Sequence, residues 1–100
     1  MVKHIVMWHV EENATQGAGP VNATRVKRAL EAMNGRIPGM LMLEVGIGFQ
    51  STEGSSEIVL YSEFDSRESL ERYRDHPTRV AVVPIVRSVC TERRVVDYET

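Results

Sequence analysis

Apolar and polar residues change period several times along this chain, and each change marks an element. Val2 to Val10 alternates with period two: Val2, His4, Val6, Trp8 and Val10 fall on one face, Lys3, Ile5, Met7 and His9 on the other. Both faces are partly apolar, which predicts a central strand with something packed on each side. Glu11 to Gly19 is polar and glycine-containing, so a surface loop is expected there. Pro20 suits a first helical position, and Val26, Ala29, Leu30, Met33 and Ile37 then recur at helical spacing opposite Arg25, Lys27, Arg28 and Glu31. This predicts an amphipathic helix from about Pro20 to Asn34, stopped by Gly35 and followed by a turn at Pro38-Gly39.

Period two returns from Met40 to Phe49, where Leu41, Leu43, Val45, Ile47 and Phe49 alternate with smaller or polar residues. After a loop from Gln50 to Ser56, a third strand is expected over Glu57 to Phe64, with Ile58, Leu60, Ser62 and Phe64 on one face. Asp65 is the expected cap of a second helix, with Glu68 as its capping-box partner and Leu70 and Tyr73 facing inward. Pro77 should end that helix near Asp75. In Thr78 to Val89 the valines and Ile85 favour a strand, but the central Pro84 opposes one. Two short helical turns broken or kinked at Pro84 are the expectation, with a closing strand over Glu92 to Glu99.

The order strand, helix, strand, strand, helix, strand is the α+β, ferredoxin-like βαββαβ plan, with a four-stranded antiparallel sheet. Right-handed crossovers place both helices on one face of that sheet. Ile5, Met7, Val59 and Tyr61 would then lie on an uncovered face. A two-fold homodimer packing sheet against sheet would bury them, at about 25 cal/mol per Å² of apolar surface.

Composition changes this picture little. The 100 residues, 42% hydrophobic and 26% charged, make one ordinary globular domain over 1–100. A net charge of −2 gives no field for nucleic acid or an anionic membrane. The single Cys90 excludes an internal disulfide, and with no leader or spanning pattern a cytoplasmic protein is expected. The sequons at Asn13 and Asn22 read as chance matches.

Several segments together resemble one family. Val2-Lys3-His4-Ile5-Val6, the Ile37-Pro38-Gly39 turn, Leu60 to Phe64, Tyr73-Arg74-Asp75-His76-Pro77 and Val95-Val96-Asp97-Tyr98 resemble the stress-responsive dimeric A/B barrel (Dabb) family. The resemblance implies a two-fold dimeric α/β barrel and a helical segment from Pro77 to Val89. Many members are stress-associated proteins without an assigned activity; one is a plant polyketide cyclase with its site between helices and sheet. By position, His4 and Tyr73 match that enzyme's first-strand histidine and second-helix tyrosine. Arg79 stands where it has its principal catalytic histidine, and Ile58 where it has a further one, so the full cyclase site is not carried over.

Strand parity and helix face direct His4, Trp8, Ile58, Leu60 and Tyr73 into the space between sheet and helices. His4 is the candidate base and Tyr73 the candidate orienting acid for proton transfer on a small aromatic or polyketide-like acid, with Trp8, Ile58 and Leu60 as walls. The plainer alternative is a buried His4 satisfied by Tyr73. His76 reads as a helix cap or a ligand contact, and Arg79 as a carboxylate binder at the cavity mouth or a surface arginine paired with Asp75 or Glu71. His9 should lie on the barrel side. The histidine spacing offers no metal site, and no cofactor is implied. The expected function is therefore that of a stress-responsive A/B barrel homodimer of unassigned activity with a small-ligand cavity. A small proton-transfer enzyme is the alternative, and a monooxygenase on the related scaffold is a distant third by fold analogy alone.

Overall fold

A computed structural model describes residues 1–11, 19–50 and 56–100. The loops expected over 11–19 and 50–56 thus fall almost wholly outside the described residues, as does the sequon at Asn13. The elements are β1 (Val2–Val10), α1 (Gly19–Glu31), β2 (Met40–Ile47), β3 (Ile58–Phe64), α2 (Arg67–Asp75), α3 (Pro77–Val89) and β4 (Cys90–Glu99). All neighbouring strands are antiparallel, in the order β2-β3-β1-β4. This is the ferredoxin-like sheet with its second helix divided into α2 and α3.

β1 sits at the centre because it can bury one whole face. Val2, Val6, Trp8 and Val10 are buried with Val26, Leu30 and Met33 from the α1 region, Leu70 and Tyr73 from α2, and Val86 and Val89 from α3. The helices therefore lie on the His4 side of the sheet. On the opposite side Lys3, Ile5 and Met7 line up with Glu63, Tyr61 and Val59 of β3 and with Tyr98, Val96 and Arg94 of β4. That side carries exposed apolar area, with Met7, Met42, Val96 and Tyr98 between 36% and 53% accessible.

Four local expectations need correction. The cap of α2 is Ser66, whose side chain accepts from the Ser69 N–H; Asp65 instead accepts from the hydroxyls of Ser66 and Ser69, and Glu68 pairs with Arg72. Helix α3 runs unbroken through Pro84. Val80, whose carbonyl the missing N–H would have engaged, is exposed along with Pro84, so water can replace the lost bond. Strand β4 starts at Cys90, two residues early, because the register with β1 slips between Met7 and His9 and Glu92 takes a positive φ of 51°. In β2 only Leu43 and Val45 of the expected apolar face are buried; the register shifts between Met40 and Met42, leaving Leu41 exposed, and Ile47 and Phe49 lie at the exposed end.

Other features follow the pattern. Gly35 adopts φ +79° beyond α1, after hydrogen bonds tighten to three-residue spacing at Met33 and Asn34. Asn22 is fully buried and its Nδ2 donates to the Glu11 carbonyl, so this sequon is not presented as a glycan acceptor. The first and last residues pair: the Thr100 N–H donates to the Met1 carbonyl at 3.0 Å. Among the described residues no helix is long and apolar enough to cross a membrane.

Two glycines test the turn chemistry. Both Gly35 and Gly39 have positive φ, but a Cβ at Gly35 would meet open space, whereas at Gly39 it would collide with the Ser69 side chain and Asp65 Oδ1. Gly35→Ala is expected to cost about 1 kcal/mol from backbone strain, and Gly39→Ala clearly more; urea denaturation showing equal losses would contradict this packing.

Candidate functional site

The site begins with the pairing of β1 and β4. Their register sets His4 opposite Asp97 on the helix-covered face, and His4 Nδ1 and Asp97 Oδ1 form a short hydrogen-bonded pair. The second carboxylate oxygen, Oδ2, accepts from Arg74 of α2 at 3.3 Å. On the other flank Ser62 of β3 donates to the His4 carbonyl at 3.3 Å. His4 is only 5% exposed, and its ring meets Phe64 and Tyr73 edge-on, with centroids 6.4 and 5.9 Å away. A carboxylate on Nδ1 assigns the ring proton to that nitrogen and leaves the lone pair on Nε2. Among the described residues no group hydrogen-bonds Nε2.

Burial holds the His4 pKa below 6.5, prevailing over Asp97, which favours the charged ring; the cations of Arg93 and Arg74 act in the same direction as burial. The resting ring is therefore neutral near pH 7 and able to accept a proton. Tyr73 is buried too, and burial pushes its phenol above the usual value of 10 although Arg79 opposes the rise. Its O–H donates to Met33 Sδ at 3.9 Å, and the Arg79 guanidinium stands 5.9 Å from the ring centroid.

These groups line a cavity of about 180 Å³. Its apolar wall comes from Val6, Trp8, Leu30, Met33, Leu60 and residues of α3, and its polar groups are His4, Tyr73, Arg79, Arg87 and Arg93. The arrangement offers a neutral imidazole fixed from behind by a carboxylate, a protonated phenol and three arginines lining an apolar space. Such a set can take a proton from a carbon or oxygen acid and hold the resulting anion. Among the described residues no three His, Cys, Asp or Glu side chains gather as a metal site would require.

Of the residues singled out in the sequence, His4, Trp8, Leu60, Tyr73 and Arg79 surround this one cavity. Ile58 does not line it: it is sealed in the core, paired in register with Trp8. His76 does not line it either. It closes α2 and opens α3, its Nδ1 accepting from the Thr78 N–H at 3.1 Å, so of the two expected roles the structure shows the cap. The partner of His4 is Asp97, not Tyr73, and Arg79 donates to the Arg74 carbonyl rather than to Asp75 or Glu71. His9 pairs with Glu57 at 2.8 Å. Asp97, Arg87 and Arg93 were missed; for Asp97 the signal was present, since it shares strand parity with Val95 on the face that meets Val6.

A model of the stress responsive A/B barrel domain matches residues 2–100. The chain belongs to the stress responsive A/B barrel domain family. A dimeric ferredoxin-like protein of unknown function from Bacteroides fragilis is similar, at 32% identity over 99% of this chain and 95% of that one, with a TM-score of 0.83. A second dimeric ferredoxin-like protein of unknown function, from Thermobifida fusca, superposes with a TM-score of 0.84 at 20% identity, covering 99% and 90% of the two chains. SnoaB, a cofactor-independent oxygenase from Streptomyces nogalater, shares the fold at 15% identity and a TM-score of 0.73, covering 99% and 91%. No curated protein matches the chain significantly. For this A/B barrel domain the comparisons thus give fold and family and leave its activity unassigned.

The lowered His4 pKa makes stability depend on pH. Below 6.5 an unfolded chain takes up a proton on His4 that the folded chain refuses, so the unfolded state binds more protons and stability rises with pH through this range. Urea unfolding should therefore show stability declining as pH drops below 6.5 toward the folded-state value, and His4→Gln should flatten that decline. An unchanged slope in the variant would show that His4 is not the group responsible.

Proposed function

We propose that this A/B barrel protein is a cytoplasmic homodimer whose cavity binds a small oxygenated organic molecule and transfers a proton with His4. The observation that carries the reading is the His4 ring itself, fixed through Nδ1 by Asp97 while, among the described residues, Nε2 has no hydrogen-bond partner and the ring borders the cavity. A histidine serving only to fill the core would be expected to have both nitrogens satisfied. Tyr73, protonated and beside the His4 ring, orients the bound molecule; Arg79 stabilises the negative charge that develops. Trp8 and Leu60 supply apolar walls. Arg74 and Asp97 act behind the ring, holding its tautomer and angle.

The dimer is supported by the dimeric state of similar proteins and by the surface of this chain. The sheet face bearing Ile5, Met7, Val59, Tyr61 and Val96 is partly apolar, and β4 is exposed throughout from Thr91 to Glu99. The single Cys90, half-buried, is compatible with a reducing compartment.

Light scattering at micromolar concentration should give twice the 11.3 kDa chain mass, and Met7→Lys should shift the population toward monomer; a wild-type mass of one chain would remove the dimer. For the site, adding small phenolic and polyketide-like acids should move the His4 ring signals saturably in NMR spectra, with assignment from His4→Gln. That variant should fold and lose turnover by about 100-fold or more. A His4 ring that neither titrates nor responds to any of these compounds would reduce the pair with Asp97 to a structural contact.

A further inference from the structure

Three arginines line the cavity, and no carboxylate is among its lining residues. Arg79 and Arg87 come from α3 and Arg93 from β4. The chain as a whole is acidic, with 14 Asp and Glu against 12 Lys and Arg, so the local excess is not a reflection of composition. The carboxylate closest to this lining, that of Asp97, is engaged by His4 and Arg74. Among the described residues Arg79, Arg87 and Arg93 form no ion pair. Three like charges around a partly enclosed apolar space raise the local potential, and an anion placed there is attracted by all three.

The remaining lining limits what the anion can be. Val6, Trp8, Leu30, Met33 and Leu60 give it an apolar floor, which an inorganic ion would leave unfilled. The volume of about 180 Å³ slightly exceeds the 150 Å³ or so of an engineered cavity that holds benzene, so it takes one ring with a small substituent. Guanidinium forks match the two oxygens of a carboxylate.

We propose that the cavity binds a compact organic carboxylate whose enclosed part is about one substituted ring. Its apolar body lies against Trp8 and Leu60 and its carboxylate faces Arg79, Arg87 and Arg93. The proposal rests on the reading of this cavity as a ligand site and adds the class of ligand. Arg93 disfavours the protonated His4 ring, so an anion that screens it lets the His4 pKa rise, a second signature of the same event.

Calorimetric titration of the full chain with benzoate, its neutral isostere benzamide and inorganic sulfate tests this. Benzoate should bind about tenfold or more tighter than benzamide, as expected when a charge-assisted contact is removed, with the advantage shrinking as sodium chloride is added. Arg87→Gln and Arg93→Gln should each weaken benzoate several-fold and leave benzamide unchanged. Arg72→Gln, which removes a charge from the exposed face of α2, should alter neither. Benzamide binding as tightly as benzoate, sulfate competing fully with benzoate, or Arg72→Gln weakening benzoate as much as Arg93→Gln would overturn the carboxylate assignment while leaving the cavity a ligand site. Absence of binding by benzoate and benzamide alike would remove both.

Discussion

The register of β1 between β3 and β4 is the constraint on which the rest depends. Side chains alternate across a strand, so a slip of one residue would turn Val2, His4, Val6 and Trp8 away from the helices and bring Lys3, Ile5 and Met7 against them. The burial of Val6 against the helices makes that slip unfavourable, and the same register sets His4 beside Asp97 and its carbonyl within reach of Ser62. Hydrophobic packing thereby positions a polar pair that would be costly to bury alone.

Much of this was legible in the sequence because period-two and helical spacing are strong where one face is buried. The faces of β1 and β3 and the inward Leu70 and Tyr73 come from such patterning, as does the left-handed Gly35, although α1 itself ends at Glu31, short of the expected Asn34. Patterning failed where a single local interaction outweighed it. Ser66 takes the cap because its hydroxyl meets the Ser69 N–H, while the adjacent Asp65 is occupied by two hydroxyls. Pro84 stays in a helix because it stands on the exposed side, which a one-dimensional reading of valines and a proline does not reveal. In β2 a register shift at Leu41 undoes an alternation that looks regular on paper.

The site was less legible than the fold for a related reason. His4, Trp8, Leu60, Tyr73 and Arg79 are brought to one cavity by parity within their own elements, which local sequence carries. Arg93 reaches it, and Asp97 reaches the His4 ring behind it, only through pairing with a strand some ninety residues earlier; strand parity shows their faces but not their partner. Ile58 had the right parity but is sealed in the core beside Trp8. His76 was placed by its position before a proline, and the sequence could not show that it serves two helices at once.

The pairing of the first and last residues of the described sheet bears on how the molecule assembles. Contacts between Met1 and Thr100 and between His4 and Asp97 close a loop of nearly the whole sequence. Loop-closure entropy and high contact order make such pairings slow to form relative to local hairpins. The β2–β3 ladder and α1 can organise from nearer neighbours, whereas the histidine and its carboxylate meet only when the two ends of the chain zip together. The carboxylate that sets the tautomer of the base thus comes from the far end of the chain, so the readiness of His4 to accept a proton hangs on a contact of nearly the greatest sequence separation the fold contains.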